Sequence, residues 1–220
     1  MTSKSDVDIV NNLIIRSYSL DDISLYTGKI GLCILFSNYS QSINNDIYKE
    51  FCEVLIEEIY DDIDNSILLG FQSGLTGVGW GIEYLISNNF MEGDSDEVLS
   101  FIDKRVIEYL LSEEQDPLDG EGVMHYILAR LNSKSKLACE LYNKNLLKKY
   151  FDKFHDKLYS YNNSFNVLSD YINGARLIPN WNIILKEIIK YSQNIYAFDN
   201  SKNLGLYKGN SGFILKKYLE

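Results

Sequence analysis

The sequence predicts an all-α protein, an α/α toroid of about five helical hairpins and about ten helices, whose inner helices are opened by glycine turns. Three observations predict it. Glycine-led apolar segments recur at a constant interval. Between them lie long segments that are apolar along one stripe only. The 220 residues contain only two prolines and no convincing strand.

The recurring segments begin at Gly28-Lys29-Ile30-Gly31, Gly74-Leu75-Thr76-Gly77, Gly120-Glu121-Gly122 and Gly209-Asn210-Ser211-Gly212. Their first glycines are spaced by 46, 46 and 89 residues, so a degenerate copy is expected near position 166. There, Asn163–Ile172 has the capping residues and the apolar run without the glycines. An interior glycine costs a helix about 1 kcal/mol relative to alanine. A chain keeps one where backbone passes close to something or turns with positive φ. After Gly74, Val78, Ile82, Leu85 and Ile86 recur at helical spacing, with Trp80 and Tyr84 on another side. A helix apolar nearly all round is an inner one. An open α-solenoid would share the alternation of inner and outer helices, but such buried inner helices favour the closed ring.

Taken in order, residues 6–18 form an amphipathic helix on Val7, Ile9, Val10, Leu13 and Ile14. The first inner helix covers about 28–40. An outer helix then runs to about Ile63, with Ile47, Phe51, Val54, Leu55 and Ile59 as its buried stripe. The inner helix 74–88 is followed by an outer one from Asp94 to Leu111. Pro117 and Asp119 introduce the inner helix 120–131, and an outer helix spans 135–160. The degenerate inner helix 164–173 stops at Gly174. Pro179 starts an outer helix over 180–193, and the loop Asp199–Asn203 leads to the last inner helix, 209–219.

At this length a single domain over 1–220 is expected. A net charge of −10 argues against nucleic acid or an anionic membrane as partner, because both need a basic patch. The lysines at 144, 148, 149, 153 and 157 read as one solvated helix face. The N-terminus has no signal-peptide run, and no window reaches the roughly 18 apolar residues of a membrane span. Cys33, Cys52 and Cys139 are odd in number and widely spaced in apolar patterns, so they read as reduced core thiols of a cytoplasmic protein.

The segment Gly74-Leu75-Thr76-Gly77-Val78-Gly79-Trp80, the pair Gly28/Gly31 and the terminal Gly205–Gly212 run resemble the lanthionine synthetase C-like family. Trp80-Gly81-Ile82-Glu83-Tyr84-Leu85, with Asp103-Lys104-Arg105 further on, is similar more narrowly to its Bacteroidetes-type members. The resemblance is best over 25–132 and at the C-terminus. It implies an α/α toroid and a place in maturation of ribosomally made, lanthipeptide-type peptides. The family's cyclases use zinc held by two cysteines and a histidine to activate a peptide thiol, which bound metal makes acidic enough to attack near neutral pH. Those ligands come from a Cys-His-Gly segment and a Trp-Cys-type segment, and this chain has neither. Its only histidines are His125 and His155. Cys33 and His125 hold the same place in their repeats, an incomplete ligand set, while Cys52 and Cys139 on outer helices should point elsewhere. The expectation is therefore no bound metal or cofactor, and a pseudoenzyme that binds a precursor or leader peptide or another maturation protein. A truncated cyclase completed by a partner chain is an alternative.

The residues that would line a central cavity are Trp80, Glu83, Asp119, Glu121, His125 and Tyr126. Tyr171 joins them on the degenerate helix. Carboxylates at inner-helix starts could work as an acid/base pair in a glycosidase-like enzyme built from Glu83, Asp119 and Glu121. The simpler role of Asp119 is a helix N-cap, and that of Glu121 a favourable first-turn charge. Glu83, on a buried helix, needs a partner: a backbone amide, a tyrosine hydroxyl or Arg105. Gly74–Gly81 is no phosphate loop, lacking a Gly-Lys-Ser/Thr ending and a preceding strand.

Overall fold

The structure, a computed structural model, describes residues 4–113, 117–133, 135–158, 163–176, 181–190, 192 and 204–219. At 4, 5, 117–119, 153–158 and 163–165 it describes the backbone alone. The loop Asp199–Asn203 and Pro179 therefore lie outside the described residues. Twelve helices and no strand occur among the described residues. They are α1 (Lys4–Ser17), α2 (Lys29–Ile43), α3 (Ile47–Asp62), α4 (Leu75–Ser87), α5 (Ser95–Val98) and α6 (Ser100–Leu111). Then follow α7 (Pro117–Asn132), α8 (Lys136–Leu141), α9 (Lys144–Leu158), α10 (Asn163–Ile172), α11 (Trp181–Ile189) and α12 (Asn210–Lys216).

Two outer segments break where one helix each was expected. The first breaks at buried Leu99, between α5 and α6. The second breaks at Tyr142-Asn143, between α8 and α9. Asn143 restarts the helix, its side-chain oxygen accepting from the Leu146 amide at 3.1 Å.

The chain divides into two compact units, residues 1–65, 89–91 and 180–220, and residues 66–88 and 92–179. In the first, α2 is the inner helix, buried without a break from Lys29 to Ser37. Its neighbours are α3, α1 and α12, and α12 in turn packs on α1 and α11. In the second, α4 is buried at every residue from Leu75 to Leu85. α7 packs on α4 and α10 on α7, with α6, α8 and α9 outside them.

The glycine turns share one construction. Gly28, Gly74 and Gly209 are the N-caps of α2, α4 and α12, in extended backbone with φ of −109°, −128° and −107°. Left-handed geometry is therefore not what selects them. Close approach is. A loop folds back over each cap, so that the amides of Lys29 and Leu75 donate to the carbonyls seven residues earlier, Asp22 and Leu68, at 2.8 Å each. The Ser211 amide does the same to Leu204 at 3.2 Å. A Cβ at Gly74 would fall inside van der Waals distance of the Leu68 carbonyl and of the Gly70 backbone, 2.6 Å away. In the first turns, a Cβ at Gly31 would lie 2.5 Å from the Leu25 carbonyl, and one at Gly212 would strike that of Leu206. The hydroxyls of Thr76 and Ser211 fasten the same loops, donating to the carbonyls of Leu69 and Leu204.

α7 departs from this construction. It starts at Pro117, the favoured first helical position for proline, so Gly120 and Gly122 lie inside the helix instead of opening it. They serve packing: a Cβ at Gly122 would sit 2.6 Å from the Thr76 hydroxyl, and one at Gly79 would sit 2.5 Å from the Tyr126 ring. The α4–α7 contact closes at these two points. At the end of α10, Gly174 has φ +105°. The Gly174 and Ala175 amides donate to Tyr171 (3.0 Å) and Asp170 (2.9 Å), the glycine-closed helix end expected there.

The buried stripe expected on α3 is only partly buried. Leu55 and Ile59 are covered, but Ile47 is 60% and Val54 45% exposed. The buried face is Tyr48, Cys52, Leu55 and Ile59, which keeps two residues of the expected stripe and is rotated from it.

Candidate functional site

Among the described residues, the densest polar construction surrounds Arg130, on α7, which is fully buried. Its Nε donates to both Asp103 carboxylate oxygens at 3.2 Å, and its second terminal nitrogen to Asp103 Oδ2 at 2.8 Å. That nitrogen also reaches Asp96 Oδ1 at 2.7 Å. The first terminal nitrogen donates to Glu83 Oε2 at 2.8 Å and to Ser95 Oγ at 3.1 Å. Five N–H donors meet partners from α4, α5 and α6. On the far side of Asp103, the hydroxyls of Tyr126 and Tyr142 donate to Oδ1 at 2.8 and 2.7 Å. Ser135 caps α8 and also bonds Asp96 at 2.6 Å.

The electrostatics follow from one buried cation among three carboxylates. Burial works against the Arg130 charge, but the hydrogen bonds and charge of Asp103 and Asp96 outweigh it and raise its pKa. Burial raises the Glu83 pKa against the pull of Arg130 and Ser87. Asp96, nearer solvent, is held below its ordinary value because Ser135 and Arg130 outweigh its desolvation. Burial, then the Asp103 charge and its hydrogen bonds, push Tyr126 and Tyr142 well up. This arrangement ties helices together; Glu83 and Tyr126 have no exposed surface through which to meet a substrate. The partner of Glu83 is thus Arg130, not Arg105, which donates to the Ile67 carbonyl at 3.5 Å. Arg130, Asp96, Asp103 and Tyr142 were not singled out as site residues from the sequence. The available signal was an arginine within an apolar inner helix, 47 residues after Glu83 and so one repeat on.

The other candidates lie apart from this cluster. Trp80 is 1% exposed, stacked on Tyr84 with ring centroids 5.7 Å apart and meeting Phe71 edge-on. His125 is buried with its ring 4.6 Å from that of Phe71, and its Nε2 is 3.6 Å from Glu121 Oε1. Asp119 lies within the first turn of α7, so it is not the N-cap; its side chain and that of His155 lie outside the described residues.

Among the described residues, the three cysteines and His125 do not assemble the ligand set of a cyclase's zinc site. Cys33 Sγ donates to the Cys52 carbonyl, and Cys52 Sγ to the Cys33 carbonyl, both at 3.8 Å across the α2–α3 contact. Cys52 therefore points at Cys33, contrary to the expectation that it points elsewhere. Burial, reinforced by Cys52, pushes the Cys33 thiol well up, which opposes the thiolate a metal needs. Cys139 is exposed, not a core thiol, because it falls on the outward side of the short helix α8. Among the described residues, no group of three or more His, Cys, Asp or Glu side chains could hold a metal ion.

Lys29 is a second buried cation, at the start of α2. Its Nζ is 2.9 Å from Glu58 and 3.5 Å from Asp62 on α3, and these partners outweigh burial and raise its pKa.

Among the described residues no helix is long and apolar enough to cross a membrane. Residues 19–170, well over half of the chain, match the family described as Lanthionine synthetase C-like protein. No match is found among curated proteins or among solved structures. The family's fold is a helical toroid, and the glycine-capped, all-helical build is of that class. The chain belongs to the lanthionine synthetase C-like family.

Proposed function

We propose that the chain acts in lanthipeptide-type peptide maturation in the cytoplasm as a zinc-less member of its family. It binds a precursor or leader peptide, or another maturation protein, and does not itself join thiol to dehydrated residue. Family membership supports the peptide role. The observation that carries the non-catalytic reading is the commitment of the inner-helix thiol and imidazole. Cys33 is fully buried against Cys52, and His125 packs at a tilt on Phe71 beside Glu121. Both side chains are buried, whereas a cyclase needs three protein ligands around an open position left for substrate.

The test has two readouts on purified protein. Metal analysis should give no stoichiometric zinc. A dehydrated precursor peptide should be retained on the immobilised protein, with its cysteine thiols still titratable after incubation. Stoichiometric zinc, or thioether formation, would overturn the proposal. A cyclase completed by a partner chain predicts zinc only after the two chains are mixed. The carboxylate-enzyme alternative is disfavoured by Glu83, which is spent on Arg130 and Ser87.

A further inference from the structure

Of the large hydrophobic side chains exposed among the described residues, Ile15 on α1, Tyr18 just past its end, and Ile47, Val54 and Tyr60 on α3 belong to the first unit. They are 70%, 71%, 60%, 45% and 47% exposed. Two side-chain contacts link the α1 end and α3: the Tyr18 and Phe51 rings meet edge-to-face at 5.7 Å, and the Tyr48 hydroxyl is 3.4 Å from Asn11. Ile15 and Tyr18 therefore form one bank, and Ile47, Phe51 and Val54 the other. Helical periodicity marks Ile47, Phe51 and Val54 for burial, yet no described segment covers Ile47 or Val54. Isolated apolar residues on a surface mean little; a contiguous set with a polar rim marks a contact surface.

The rim identifies the occupant. Exposed Glu50, Glu57 and Asp61 alternate with Ile47 and Val54 along the same strip of α3. The whole helix carries six acidic residues and one lysine. A neutral or acidic partner would leave these carboxylates desolvated or opposed. A cationic amphipathic helix would seat its apolar face on the strip and its lysines or arginines on the rim. We propose that the α1–α3 face is the docking surface for a basic, amphipathic helical segment of a peptide partner. The inference rests on the reading of the chain as a peptide binder and names the surface and the charge class.

The probe is a short fluorescein-labelled helix of leucine and lysine, leucines at i, i+3, i+4 and i+7, beside a leucine–glutamate counterpart. Fluorescence anisotropy should show the lysine helix binding, more weakly as salt rises, and the glutamate helix failing to bind. The double substitution Ile47→Ser with Val54→Ser should weaken binding about tenfold or more, the loss expected for one or two aliphatic anchors. Ile15→Ser on the opposite bank should act in the same direction, and Glu57→Lys with Asp61→Lys should remove the preference for the lysine helix. Leu68→Ser and Leu111→Ser, at exposed apolar positions elsewhere, should change nothing. Unaltered affinity in the Ile47/Val54 variant, with its helical circular dichroism intact, would overturn the proposal. So would equal binding of the two helices, or no binding of either. If the variant still retains the precursor peptide while losing the lysine helix, this surface fails as the peptide's seat and the peptide-binding role stands. If wild-type protein binds the lysine helix but no precursor, the role fails and the surface stands.

Discussion

Arg130 can donate five hydrogen bonds, and its neighbours take all of them, which makes its removal unlike an ordinary truncation. Arg130→Met leaves Glu83 and Asp103 buried without a counter-charge, and a broken buried pair costs about 3–5 kcal/mol. Urea titration should show that loss, and Arg130→Lys should recover only a minor part, because an ammonium lacks the planar fork. Glu83→Gln should behave differently. The folded Glu83 pKa is raised above the ordinary 4.5, so the native state holds that proton more tightly than the unfolded chain. Its ionisation therefore costs stability as pH rises from the unfolded value through the folded one. The glutamine variant escapes that loss and should gain on wild type between acid and neutral pH. A constant difference across that range would contradict the assignment. Asp96 has the opposite sign: its pKa lies below 3.8 in the fold, and its contribution fades as pH falls through that lower value. Asp96→Asn should accordingly be less stable than wild type at neutral pH and approach it in acid. That Glu83 needs a partner was legible, since a carboxylate sits among aromatic and aliphatic residues on a buried helix. Which partner was not, because α6 with Arg105 and α7 with Arg130 both pack on α4.

At the scale of one element, the repeated unit is a loop folded over a glycine cap, fastened at α4 and α12 by a first-turn hydroxyl. Gly74→Ala would drive a methyl group into the Leu68 and Gly70 backbone. Backbone has no rotamer with which to yield, so a loss of about 1–3 kcal/mol is expected in thermal or urea unfolding. Thr76→Val keeps the shape and deletes the bond to Leu69, leaving that carbonyl one donor short, at about 1 kcal/mol. The constant spacing exposed three of these caps in the sequence. It misplaced the start of α7, where Pro117 sets the first helical turn and the following glycines are used for contact with α4. The breaks at Leu99 and Tyr142 left weaker traces. Only Asn143, a capping residue ahead of Leu146, signals the second, and nothing in the apolar stripe announces the first. The stripe of α3 also misled. Periodicity reports which side of a helix is apolar but not whether anything lies against it.

On the scale of the whole chain, the last inner helix lies beside the first: α12 packs on α2 and on α1, and Lys217 pairs with Asp6 across 211 positions. Deleting residues 204–220 would strip one side of α2 and should abolish cooperative melting of the first unit. Limited proteolysis should then cut within α1–α3 before α4–α9. Equal resistance of the two regions would contradict the division into units. Composition and repeat length made the helical class readable, but the assignment of hairpins to two units was not, since every inner helix is apolar in the same way. The pairing of terminal helices also sets an order of events on the ribosome. Residues 66–88 and 92–179 can be synthesised, released from the exit tunnel and folded while translation continues. The opening segment must wait, with α2 partly bare, until the closing stretch is made. A chaperone that shields nascent chains would be needed longest over α1–α3.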